Sequence, residues 1–153
     1  MGEYIFLIEG GEDERFVKEV ISTEISNEVD LYKYEQKTPT EVNKFIQIYT
    51  DTHHHHYYLT DLDAGQDDCY CCGDREEFER SRFQLEPFEV LVVADEIESW
   101  YLAGVPNSIV QKRDVDLPDD FEEADKDVFD NIFTDSNFTS KERFKIEILQ
   151  RYD

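Results

Sequence analysis

The sequence predicts an α/β fold on a parallel sheet, and three observations carry that reading. Tyr4-Ile5-Phe6-Leu7-Ile8 and Phe88-Glu89-Val90-Leu91-Val92-Val93-Ala94 are near-continuous apolar runs of strand length, as buried parallel strands are. Helical spacings separate such runs: Val42, Phe45, Ile46 and Tyr49 recur at i, i+3, i+4 and i+7. The runs also end in acids and polar loops, on the edge where open α/β sheets bind ligands. The expected architecture is a Rossmann-like sheet with strands near 4–8, 29–34, 57–61 and 88–94. Helices cover both faces. A length of 153 residues fits one domain, with an α/β core over 1–104 and a helical C-terminal extension, 105–153, packed on it.

The first helix follows Gly10-Gly11 and buries Phe16, Val17, Val20 and Ile21, with Glu12, Asp13 and Glu14 in its first turn facing the positive helix end. Residues 29–34 form a second strand, short enough to lie at an edge. Thr38-Pro39-Thr40-Glu41 opens the next helix: Thr38 is the N-cap, Pro39 takes the first position and Glu41 closes a capping box. A polar loop over 64–73 and a helix over 76–83 link the third strand to the fourth. Ile97, Trp100 and Tyr101 share a further helix face, which Gly104 ends. Helices are expected near 107–112 and 119–132. The last begins at Thr139-Ser140-Lys141-Glu142, again a capping-box pattern, and places Phe144, Ile148 and Tyr152 at i, i+4 and i+8.

Composition bounds the function. A formal net charge of −23 repels polyanions, so any nucleic-acid binding needs a local basic patch or bridging cations. No apolar run approaches the roughly 20 residues of a membrane span, and no signal peptide precedes the first strand. The expected compartment is the cytoplasm. Cys69, Cys71 and Cys72 then read as reduced thiols, in a spacing that matches no common structural zinc pattern. The run His53 to His56 invites a metal reading, but consecutive strand residues alternate faces and cannot all converge. Arg75, Arg80 and Arg82 are the densest basic cluster of the first half, with Glu76, Glu77 and Glu79 at hand to pair them.

The candidate site is acidic. The strand Tyr57-Tyr58-Leu59-Thr60 runs into Asp61-Leu62-Asp63, and a two-residue period can aim both aspartates the same way. The first strand ends in Glu9. If the two strands are parallel neighbours, three carboxylates meet on one sheet edge. Carboxylates about 4 Å apart repel by roughly 4 kcal/mol at an effective dielectric of about 20. A shared proton, a hydrogen-bond network or a bound dication must offset that. Asp13 is either a dipole-matched surface acid or part of the site. Glu98 either closes a capping box with Asp95 or projects toward the strand-end acids.

The motifs Ile8-Glu9-Gly10-Gly11-Glu12-Asp13 and Thr60-Asp61-Leu62-Asp63, each after an apolar strand, resemble the Toprim domain of topoisomerases, primases and OLD-family nucleases. Glu96-Ile97-Glu98-Ser99-Trp100-Tyr101-Leu102-Ala103 is similar to the Ile-Glu-x-Trp-Leu-Leu-Ala pattern of small prokaryotic Toprim-like proteins, among them the DUF4276 group and relatives of the RloB proteins. The resemblance covers residues 4–104. It implies Mg²⁺ or Mn²⁺ as cofactor, held by Asp61 and Asp63. It implies Glu9 in general acid/base chemistry, Glu98 completing the cluster and Asp13 as the acid often found after the Glu-Gly.

Two functions follow as expectations. One is a Mg²⁺- or Mn²⁺-dependent phosphodiester hydrolase, meeting nucleic acid or nucleotide phosphate through a bridging metal. The other is a non-catalytic Toprim-like module that binds a protein partner in a prokaryotic defence or restriction system. A receiver-like phosphoacceptor fits less well, because Glu9-Gly10-Gly11 stands where its acid pair would be.

Overall fold

The structure, a computed structural model, describes residues 3–25, 28–63, 66–94, 97–113, 115–119, 126–136 and 138–152. The chain divides into two compact units, Met1–Val93 and Ala94–Asp153. The first contains a four-stranded sheet of β1 (Tyr4–Ile8), β2 (Val29–Lys33), β3 (His55–Asp61) and β4 (Glu89–Val93). The strand order is β2-β1-β3-β4 and every pair is parallel. The α/β reading and the neighbouring of β1 and β3 are therefore correct. β2 lies at an edge, as its short sequence suggested.

Order dictates the layering. After β1 the chain forms α1 (Gly11–Phe16), a π-helical stretch Val17–Ile21 and a last turn, α2 (Ser22–Glu24), before β2. After β2 comes α3 (Pro39–Tyr49), and after β3 comes α4 (Cys72–Arg82). The first connection moves one way across the sheet and the next two move the other way. Right-handed crossovers then place α1 on one face and α3 and α4 on the opposite one. Register puts Ile5, Leu7 and Tyr58 on the α3/α4 face. There they form a core with Val42, Ile46, Phe83 and Leu85. Tyr34, just after β2, is buried in this core and stacks on Tyr58 at 4.6 Å, while Tyr32 of β2 and Phe45 of α3 stack at 3.6 Å and pack, partly buried, against it.

α3 starts as its sequence dictates. The Glu41 N–H donates to Thr38 Oγ1 at 3.3 Å and the Thr38 N–H to Glu41 Oε2 at 2.8 Å. α4 starts four residues before the expected 76. Cys71 is its N-cap, with Sγ accepting from the Asp74 N–H at 3.5 Å, while Asp74 Oδ2 accepts from the Tyr70 N–H at 3.1 Å. The first bond satisfies one of the N–H groups a helix start leaves unpaired, and the second ties the residue before the cap to the first turn.

The second unit carries α5 (Ile97–Ala103), α6 (Asn107–Arg113), α7 (Lys126–Asp135) and α8 (Lys141–Leu149). Tyr101, Phe129 and Phe144 are fully buried, with ring contacts at 6.3 Å (Tyr101–Phe129) and 5.4 Å (Phe129–Phe144). Gly104 ends α5 beside the Tyr152 ring, where a Cβ would overlap ring carbons. The Tyr152 hydroxyl donates to the Trp100 carbonyl at 2.5 Å. The cap of α8 is Ser140, which accepts from the Arg143 N–H at 3.2 Å, one residue later than the Thr139–Glu142 box predicted. Of the helix expected over 119–132, residues 120–125 lie outside the described residues, as do Asp95 and Glu96 and with them the proposed Asp95 cap. Among the described residues no helix is long and apolar enough to cross a membrane.

Candidate functional site at the switch point of the sheet

The connections from β1 and β3 leave to opposite faces, which makes the carboxyl ends of these two strands the topological switch point of the sheet. Ligands of open α/β sheets bind at such a switch point. Glu9 follows β1 directly and Asp61 is the last residue of β3. The ladder continues one residue further, with the Leu62 N–H donating to the Val93 carbonyl at 2.9 Å. It stops at Asp63, whose φ of 46° lies in the left-handed region that aspartate tolerates better than most side chains. The two-residue alternation therefore ends before Asp63. The expectation that strand period alone aligns Asp61 with Asp63 does not hold.

Glu9 directly follows β1, Asp13 lies in the first turn of α1 and Asp63 lies just past the end of β3. Burial pushes the Glu9 carboxyl above its ordinary value, and the charges of Asp13, then Asp63, push it further; Arg75 opposes them. Asp13 is buried, and its Oδ2 accepts from the Gly10 N–H at 2.8 Å, closing the first turn of α1. It is both a helix-start residue and a neighbour of Glu9. A Cβ at Gly10 or Gly11 would meet nothing within 4 Å, so space is open at this turn.

Beneath the acids lies a polar network that the sequence did not announce. Arg75 is 5 % exposed and Glu79 1 %, one helical turn apart on α4. Arg75 Nη2 reaches Glu79 Oε1 at 3.0 Å, Nη1 reaches Asp67 Oδ2 at 3.3 Å, and Nε reaches Thr60 Oγ1 at 3.4 Å. Tyr58 donates its hydroxyl to Glu79 Oε2 at 2.8 Å, and Tyr34 donates to the Leu59 carbonyl at 3.0 Å. Burial raises both phenols well above the usual tyrosine range. One signal was available: between Cys72 and Arg82 the only large apolar residue is Phe78. A helix so poor in apolar residues must bury polar side chains if it packs on a sheet at all.

Glu98 belongs to the second unit. It is buried, and its Oε1 pairs with Lys145 Nζ at 3.0 Å. The Lys145 ammonium also lies over the Tyr101 and Phe129 rings, at 5.4 and 5.3 Å. The histidine run takes separate partners. His53 Nε2 meets Asp30 Oδ2 at 2.8 Å, His55 stacks on Tyr4 at 4.6 Å, and His56 Nε2 meets the Thr50 carbonyl at 3.0 Å. Cys69 is buried, while Cys71 and Cys72 are exposed free thiols.

Among the described residues, no group of three or more His, Cys, Asp or Glu side chains stands arranged to hold a metal by itself. The acids at the ends of β1 and β3 offer carboxylate oxygens, the donor type hard dications take. Mg²⁺ commonly uses one or two carboxylates, completing its shell with water and substrate phosphate. Glu9 and Asp63 are of that donor type, and among the described residues they belong to no group arranged to hold a metal. The fold defines the class: a doubly wound α/β domain built on a four-stranded parallel sheet. Comparison with family models, curated proteins and solved structures finds no match.

Proposed function

We propose that this chain is a Toprim-like phosphodiester hydrolase dependent on Mg²⁺ or Mn²⁺, with nucleic acid or a nucleotide phosphate as substrate. What supports the reading is the placement of Glu9 and Asp63 just past the ends of the neighbouring strands β1 and β3, together with the raised proton affinity of Glu9. A carboxylate so poised exchanges protons at a pH closer to neutrality than an ordinary glutamate, as a general acid or base requires. Glu9 would pass a proton to the leaving oxygen or take one from water. Asp63, with Asp61 at the end of β3, would hold the dication. That ion, when bound, supplies charge neutralisation at the phosphoryl group and a more acidic water. Glu98 carries no role here, because Lys145 engages its carboxylate.

The test is cleavage of labelled single- and double-stranded DNA and RNA with Mn²⁺. Activity is expected in the native chain and lost in Glu9→Gln and in Asp63→Asn. Cleavage that survives both substitutions would remove the site.

The net charge of −23 favours a second reading, a module that docks on a basic protein partner. It predicts partner binding that is indifferent to both substitutions and to chelation.

A further inference from the structure

We propose that the outer edge of β4 docks an extended protein segment of alternating apolar residues with lysine or arginine at its ends, added to the sheet as a fifth strand. The inference rests on the second reading above, the module with a basic partner, and names the surface for it. The hydrolase reading does not depend on it.

β4 closes one edge of the sheet order β2-β1-β3-β4. The register sets Tyr57 beside Glu89 and Asp61 beside Val93, and the Leu62 N–H donates to the Val93 carbonyl at 2.9 Å. In such a ladder the backbone groups of Glu89, Leu91 and Val93 turn toward β3, and those of Val90 and Val92 turn away from it. Among the described residues, the outward N–H and C=O groups of Val90 and Val92 meet no partner. Val90, Leu91 and Val92 are also only partly buried. A bare strand edge of this kind is a template for another strand.

The two edges of the sheet differ. β2 carries Asp30, engaged by His53, and Lys33, paired with Glu14. Charges on an edge strand discourage pairing. β4 has no lysine and no proline, and its one charge, Glu89, stands at its start. Charge then selects the occupant. A second copy of this chain would set one net charge of −23 against another. Glu86 and Glu89 are exposed beside the apolar run, while the nearby Arg80 is taken by Glu76 and by the Leu85 and Phe88 carbonyls. When a strand is added to a sheet edge, main-chain bonds give affinity and side chains give specificity. Here the side chains call for apolar residues at the centre and cations at the ends.

The probe is the synthetic peptide Lys-Lys-Val-Thr-Val-Thr-Val-Lys-Lys, titrated into the full chain and followed by amide chemical shifts and hydrogen exchange. Binding is expected to slow exchange at the Val90 and Val92 amides and to leave that of Leu91, already bonded to β3, unchanged. The same core flanked by glutamates is expected to bind about tenfold more weakly, the summed effect of several cross-strand charge pairs. Val92→Pro removes an outward N–H and no bond to β3, a place where sheets tolerate proline, and is expected to abolish binding.

Amides of Val90 and Val92 that exchange as slowly as Leu91 in the free chain would show the edge already covered and overturn the inference. No binding of the lysine-flanked peptide would also overturn it. Binding that survives Val92→Pro but keeps its preference for lysine would defeat the β4 edge and leave the basic-partner reading standing. Equal binding of the two peptides would defeat both. If Val92→Pro does not fold, the lysine-flanked peptide N-methylated through its core decides: lost binding supports the proposal and unchanged binding defeats it.

Discussion

Arg75 Nη2 lies 3.0 Å from Glu79 Oε1, and both side chains are buried on one face of α4. Such a pair is weak evidence for stability, because desolvating two charges offsets much of their attraction. Its position explains it better. Arg75 also reaches Thr60 of β3 at 3.4 Å and Asp67 at 3.3 Å, so the pair ties α4 to that strand and to the segment that follows it.

Tyr58→Phe tests how tightly that network is tied. The substitution keeps the ring stacked on Tyr34 but leaves Glu79 Oε2 without its 2.8 Å donor. Oε2 then keeps only the longer 3.4 Å bond from Arg82 Nη1, and a fully unsatisfied buried acceptor costs about 1–3 kcal/mol. A loss toward the lower end of that range in urea denaturation is expected. A change below about 0.5 kcal/mol, the scale of ordinary surface substitutions, would show that Arg75 and Arg82 suffice to hold Glu79.

Glu9→Gln should stabilise the protein at neutral pH. A carboxyl raised above its ordinary 4.5 binds its proton more tightly folded than unfolded. Its contribution is thus fully present below about pH 4.5 and is lost as pH rises through the folded value. The neutral amide escapes that loss. Thermal melts should show a gain at pH 7 that shrinks toward pH 4. A lower melting temperature at pH 7 would mean that ionised Glu9 is well solvated.

The second unit offers an independent test of buried charge. Lys145→Met leaves Glu98 buried without its ammonium, and breaking such a pair typically costs about 3–5 kcal/mol. Adding Glu98→Gln should recover most of that loss in chemical denaturation. If Lys145→Met alone is neutral, Glu98 has another partner or reaches water.

What the sequence disclosed was local or periodic. The cap formed by Thr38, Pro39 and Glu41 lies within four residues and forms as read. The strand runs needed only their apolar continuity, and their parallel pairing carried Glu9 and Asp61 to one edge. What stayed hidden depends on tertiary context. The left-handed turn at Asp63 is a backbone state that no alternation pattern encodes. Arg75 and Glu79 read as an ordinary surface pair at i, i+4, because their burial is decided by the sheet beneath them and by Tyr58 from another element. The α4 cap was missed because a thiol does the work usually done by Ser, Thr, Asp or Asn.

The most direct measurement is anomalous diffraction from a crystal soaked in Mn²⁺ at near-neutral pH. The account predicts one peak at the carboxyl ends of β1 and β3, within bonding distance of Glu9 or Asp63 oxygens, and its disappearance in Asp63→Asn. Ordered side chains there with no peak, or a peak held by other residues instead, would contradict it.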